Sequence, residues 1–258
     1  MANLYYREDL DEADLVVGAL VEVGGDEARH AVRVSRLRVG ERTSIGNGAG
    51  AYAEGTVEAV SKDRFTVRID LAHPRAAEST PRLVLVQALA KGDRDERAVE
   101  QSTEFGVDAI APWQAARSVS RWDGPGGPEK VAKGRAKWQR IAREAAKQSM
   151  RARIPVVREP LVLRDLQELA AREDRAVVVL HPRGTARLST WARSAATAGR
   201  PPEELLLVVG PEGGFSDDEL DALQEAGATV LLLGDTVLRT SSAGPAAIAV
   251  MNAAFARW

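Results

Sequence analysis

The chain contains no cysteine in its 258 residues, which excludes both a disulfide framework and a thiolate metal centre. Its three histidines, His30, His73 and His181, are too scattered to form a zinc motif, so no metal is expected. Long apolar runs are missing too. The longest weakly polar stretch, Pro245 to Ala256, is too short to span a bilayer. The segment Met1 to Asp14 is acidic and lacks a basic region followed by an apolar core, so it does not read as a signal peptide. A cytoplasmic protein without a membrane partner is expected. Two familiar catalytic signatures are also absent: no G-x-x-x-x-G-K-[ST] loop that would cradle phosphates, and no G-x-S-x-G elbow for a serine nucleophile. Gly46 to Ala51 formally matches G-x-G-x-x-A, but a period-two segment follows it and no helix, which makes it a hairpin turn.

What is present is an ordinary globular composition, 45% hydrophobic and 28% charged. At roughly 150 residues per domain, the length predicts about two domains. The formal charge of -2 conceals an uneven distribution. Between Glu129 and Arg153 stand nine basic residues against Glu129 and Glu144, which points to a polyanion partner for one face. Between Glu203 and Glu225 there are eight acids and no base, so one face and not the whole surface is expected to touch RNA or DNA.

The first seventy-odd residues alternate apolar and polar in Ala51–Val60 and Phe65–Leu71, predicting a small β-rich barrel. Asp26 to Arg36 has helical character and supplies Arg29, Arg33 and Arg36, with Arg38 and Arg42 close behind. A linker is placed around His73 to Pro81. From Leu83 onward, strands alternate with helices, which predicts a parallel sheet covered on both faces. The predicted helices include Glu129 to Met150, Ala186 to Ala198 and a final one from Pro245 to Phe255. Ser216 to Glu219 is a capping box that starts a helix just behind a glycine loop. Gly124 to Pro128 reads as a flexible turn.

In such a sheet, ligands sit beyond the carboxyl ends of the strands. Three ends carry suitable loops: His181 to Gly184, Gly210 to Gly214 after Leu205–Val209, and Leu233 to Thr240. Each taken singly is also compatible with a tight turn; together they predict a site lined by main chain. His181, before a proline, is either a general base or a structural hydrogen-bonder. Glu212 in the glycine loop needs a cationic or amide partner, and bracing the loop is its alternative role.

The residues resemble the RsmE group of ribosomal RNA methyltransferases, within the SPOUT superfamily. The carriers are Lys91 to Arg94, Gln101 to Val107, Pro112 with Arg117 to Val119, Trp138 to Ser149, His181 to Arg183, Gly210 to Phe215 and Leu238 to Thr240. The resemblance implies an α/β fold: a SPOUT-type, trefoil-knotted parallel-sheet domain (residues 75–258), preceded by a small PUA-like β-barrel that binds RNA (residues 1–74). It implies a homodimer that transfers a methyl group from S-adenosylmethionine to N3 of a uridine in 16S ribosomal RNA of the small subunit.

By the same resemblance, the cofactor would lie against Leu180, His181, Pro182, Gly210, Pro211, Glu212, Gly213, Gly214, Leu233, Gly234, Leu238, Arg239 and Thr240. Glu212 and Arg239 are the catalytic candidates. Arg33, Arg36, Arg94, Arg117, Arg140 and Arg151 are the RNA-binding candidates. The chain departs from the family pattern at Ser102, where a lysine is common, at Ser241-Ser242 in place of an acid-containing motif, and at Asn3 in place of an arginine. Two other readings stay open on the residues: a ribosome-associated RNA-binding protein without catalysis, and a methyltransferase acting at another RNA position.

Overall fold

The computed structural model describes residues 3–123, 126–199 and 201–258, so the turn predicted at Gly124 to Pro128 lies partly outside the described residues. The chain forms two compact units. One comprises Met1–Ala77 with Arg143–Ile154, the other Glu78–Ala142 with Pro155–Trp258. Residues 143–154, placed by the sequence inside the second domain, thus pack with the first unit.

The first unit is a five-stranded half-barrel of β1 (Leu4–Tyr6), β2 (Leu20–Gly24), β3 (Arg42–Gly46), β4 (Tyr52–Val60) and β5 (Arg64–His73), in the order β1-β3-β4-β5-β2. The α-helix α1 (Gly25–Arg33) packs against it through Ala28 and Ala31. From Ala53 to Val57 β4 buries every second residue, as its alternation predicts, and sends Ala53 and Val57 into a core with Tyr5, Ile45, Phe65, Val67 and Ile69, while Ala59 beyond the register shift is exposed. Gly55 marks a register shift where β4 and β5 come so close that a Cβ there would lie 2.1 Å from the Arg68 carbonyl oxygen. Gly46 and Tyr52 face each other across the hairpin predicted between them.

The second unit holds seven parallel strands: β6 (Arg82–Ala88), β7 (Ala109–Trp113), β8 (Val156–Val157), β9 (Arg175–Leu180), β10 (Ala186–Arg187), β11 (Glu204–Val209) and β12 (Thr229–Leu232). Their order is β10-β12-β9-β11-β6-β7-β8, so β11 enters between two strands laid down earlier. The helices are α2 (Arg94–Glu104), α3 (Gly127–Gln148), α4 (Leu163–Ala170), α5 (Leu188–Thr197), α6 (Asp217–Glu225) and α7 (Thr240–Ala254). β11 is buried throughout because both of its faces are covered. Leu205, Leu207 and Val209 meet the layer that includes α2, α5 and α7, while Leu206 and Val208 meet α4 and α6. Each such side chain contributes about 1.5–3 kcal/mol by leaving water.

Two helix boundaries differ from expectation. Ala186 and Arg187 pair with β12 instead of opening α5, since a free sheet edge offers their backbone a partner. α7 starts at Thr240, five residues before Pro245. Among the described residues no helix is long and apolar enough to cross a membrane.

Candidate functional site

The ends of β9, β11 and β12 open into one cavity of about 720 Å³ and a neighbouring one of about 350 Å³. Leu180, His181, Pro182, Val237, Leu238 and Ala243 wall both. The larger also takes Gly210, Pro211, Glu212, Gly213, Gly214, Arg239 and Thr240, and the smaller takes Leu233 and Gly234. All thirteen residues expected to hold a cofactor therefore line this space. Strand ends at a point where the order of the sheet reverses leave room for a ligand, and these volumes are typical of small-molecule sites.

The rim is shaped by side chains that hold main chain in place. The Gly214 amide donates to the Pro211 carbonyl at 2.9 Å, and Gly214 takes a φ of +68°, closing a tight turn. At Gly210 a Cβ would fall 2.8 Å from the Phe215 ring, so only glycine fits there. The Trp113 indole stacks on Phe215 and donates to the Val209 carbonyl at 2.9 Å. The Ser216 hydroxyl accepts from the Glu219 amide, and Glu219 accepts in return from the Ser216 amide, confirming the capping box that anchors α6.

Glu212 accepts from the Lys91 amide at 2.9 Å and from the Arg94 guanidinium at 2.6 Å. Partial burial acts to raise its pKa, but these hydrogen bonds prevail and hold the carboxyl below its usual range. An acid engaged in this way is a poor proton acceptor. It ties the loop after β6 to the loop after β11, the bracing role foreseen as its alternative. Arg94 is thereby a cavity residue engaged by Glu212.

His181 Nδ1 accepts from the Arg183 amide at 3.2 Å, which leaves the ring proton on Nε2. Its ring meets Phe215 edge to face, and partial burial together with the charge of Arg183 lowers its pKa. His181 thus accepts a hydrogen bond at the cavity wall, where its uncharged form is favoured. Arg117 donates to the Gly213 carbonyl at 3.2 Å, while Arg239 caps α7 at the cavity edge. Neither has an acidic partner among the described residues.

Arg33 and Arg36 are exposed in the first unit, and Arg140 is exposed on α3. Arg151 belongs to the first unit, where its carbonyl accepts from the Tyr6 hydroxyl at 2.5 Å. Four of the nine basic residues between Glu129 and Arg153 pair with acids distant in sequence. Lys137 pairs with Glu96 at 2.5 Å and Arg135 with Glu159; Arg143 pairs with Glu8 at 2.7 Å and Lys147 with Glu27 at 3.0 Å. Lys147 is 7% exposed, so it presents nothing to a polyanion.

Ser102 is fully buried on α2, a place from which it makes no surface contact. Ser241 and Ser242 are half-buried in the first turn of α7, and Asn3 donates to the Tyr5 hydroxyl at 3.3 Å. The residues missed from sequence include Trp113, Phe215 and Gln87. Gln87 carried a usable signal as the one polar side chain in the apolar run Leu83 to Leu89.

A family model described as an RNA methyltransferase domain matches residues 77–252, and one described as an RNA methyltransferase PUA domain matches residues 23–70. The chain is similar to ribosomal RNA small subunit methyltransferase E of Mycobacterium tuberculosis, with 41% identity over 262 residues covering 100% of this chain and 94% of the relative. Its counterpart in Bacillus subtilis is 30% identical, with 92% and 91% covered. Among solved structures it is similar to a Legionella pneumophila methyltransferase in complex with bound SAM, at TM-score 0.82 and 30% identity with 98% of each chain covered. It is also similar to ribosomal RNA small subunit methyltransferase E of Neisseria gonorrhoeae bound to S-adenosyl methionine, at TM-score 0.81 and 27% identity with 98% of each covered.

Proposed function

The chain belongs to the ribosomal RNA small subunit methyltransferase E family, and from that membership and the cavity beyond β9, β11 and β12 we propose that it methylates N3 of a uridine in 16S ribosomal RNA of the small subunit, using S-adenosylmethionine. The observation that carries this reading is the glycine loop Gly210 to Gly214, which presents main chain to a cavity of about 720 Å³ beside two arginines without acidic partners. The residues present fit the cofactor. Leu180, Val237, Leu238 and Phe215 supply apolar wall for a flat heterocycle, and the loop backbone supplies donors and acceptors.

The bound cofactor supplies an electrophilic methyl group. The protein's part is orientation and charge stabilisation, because a uridine imide nitrogen becomes nucleophilic only as it loses its proton. Arg239 and Arg117 stabilise the negative charge that then spreads onto the uracil oxygens, a role supported by Arg239 lining the cavity and by Arg117 reaching the Gly213 carbonyl. Glu212 and Arg94 hold the two loops at a fixed separation. Arg33, Arg36, Arg140 and Arg151 contribute sequence-independent attraction to phosphates, with the target base read in an unstacked state. On this reading the enzyme acts in the cytoplasm as a homodimer, where assembled small subunits or free 16S RNA are available.

Nucleoside mass spectrometry of 16S RNA from a strain lacking the gene tests the proposal. N3-methyluridine should vanish and return when the intact gene is supplied. An unchanged N3-methyluridine peak in the deletion strain overturns the choice of target atom. Absence of calorimetric heat with S-adenosylmethionine would overturn the enzyme itself in favour of an RNA-binding protein.

A further inference from the structure

Gln87 sits near the carboxyl end of β6, fully buried, in register with Val209 of β11 and Pro112 of β7. Its Nε2 donates to the Ala88 carbonyl at 3.1 Å and to the Thr240 hydroxyl at 2.8 Å. The Ala88 oxygen can only accept, which fixes the amide's orientation. Thr240 in turn donates to the Gly210 carbonyl at 2.7 Å. The amide oxygen of Gln87 is left without a partner.

A buried, half-satisfied amide in an otherwise apolar strand is unfavourable, and a leucine or methionine would fill the place without that cost. What the amide adds is direction. A hydroxyl has one proton, so accepting from Gln87 commits the Thr240 proton to Gly210. We propose that Gln87 is a positioning residue for the methyl-donor loop: through Thr240 it fixes the Gly210 carbonyl, and with it the shape in which Gly210 to Gly214 grips S-adenosylmethionine. This rests on the cofactor assignment made above. Gln87 itself does not line the cavity.

The test is calorimetric affinity for S-adenosylmethionine in the full-length protein, with thermal melting alongside. Gln87→Met removes both donors at similar size and should weaken binding about tenfold, the scale of one lost hydrogen bond. Thr240→Val should do the same, and Thr240→Ser, which keeps the hydroxyl, should lose less than Thr240→Val. Because both act on one carbonyl, the double variant Gln87→Met/Thr240→Val should be no weaker than either alone.

Gln87→Glu gives a signature that packing does not. As a neutral acid it can still donate to Thr240. Once ionised it only accepts, drawing the hydroxyl proton away from Gly210, so its affinity should fall relative to native as pH rises. Native affinity in Gln87→Met, or losses that add in the double variant, would overturn the inference while leaving the cofactor assignment intact. If Gln87→Met does not fold, equal affinities in Thr240→Val and Thr240→Ser overturn it instead. A native protein that binds no S-adenosylmethionine removes the cofactor assignment, and the inference with it.

Discussion

The long basic helix α3 and the arginines at the cavity rim look alike in sequence and behave differently in the folded protein. On α3, Arg135 and Lys137 are paired with Glu159 and Glu96, and farther along Arg143 and Lys147 are paired with Glu8 and Glu27. At the rim, Arg117 meets only a backbone carbonyl and Arg239 meets no acid among the described residues. A charge count along the chain measures supply; the field a ligand meets depends on which charges remain uncompensated after folding. The helix is denser in cations, yet the rim keeps Arg117 and Arg239 clear of acids among the described residues, even though Arg94 there is paired with Glu212.

The largest effect should come from the rim's backbone. Gly210→Val drives a side chain into the Phe215 ring, which lies 2.8 Å from the position of a Cβ, and should lower methyl transfer by about 100-fold or more through misplacement of the loop. A fully active variant in a methyl-incorporation assay would break the view that main chain shapes the site. Arg239→Ala should reduce kcat/KM by about 10- to 100-fold, with most of the loss in kcat, as expected for a charged hydrogen bond made to the reacting base. Unchanged steady-state kinetics would place Arg239 with the compensated arginines of α3.

On the helix, stability is the measurable quantity. Lys147→Met leaves the carboxylate of Glu27 without its buried partner and should cost about 3 kcal/mol in urea unfolding, with much of it regained on adding Glu27→Gln. No loss would mean that the pair is only a surface contact. The smallest effect separates two cations of one helix. Arg140→Ala should lower the slope of log RNA affinity against log salt by about one, whereas Arg135→Ala should leave it unaltered, since Glu159 and the carbonyls of Val157 and Arg158 already hold that guanidinium. Equal slopes in the two variants would erase the distinction between spent and available charge.

Local patterns made much of the architecture legible. Alternation along Ala51 to Val60 announced a half-buried strand, and the continuous apolar run Leu205 to Val209 announced one covered on both faces. The glycine loop and the capping box behind it located the cavity, because both depend on neighbours within a few residues. α7 was harder. Pro245 reads as a start in a linear pattern, but the helix carries it internally and begins at Thr240, whose hydroxyl bonds Gln87 and Gly210. The pairing of Ala186 and Arg187 with β12 was equally invisible, since a two-residue strand carries no periodicity.

The amino-acid order by itself determined where strands end and which loops lack side chains, for those properties follow from periodicity and from glycine's missing Cβ. Only the tertiary structure decided which charges stay available and which polar groups orient the donor loop. Glu96, Glu8 and Gln87 reach their partners across gaps of 41, 135 and 153 residues. Electrostatic and hydrogen-bond energies depend on distances of a few ångströms, and chain separation says nothing about those until the backbone has folded.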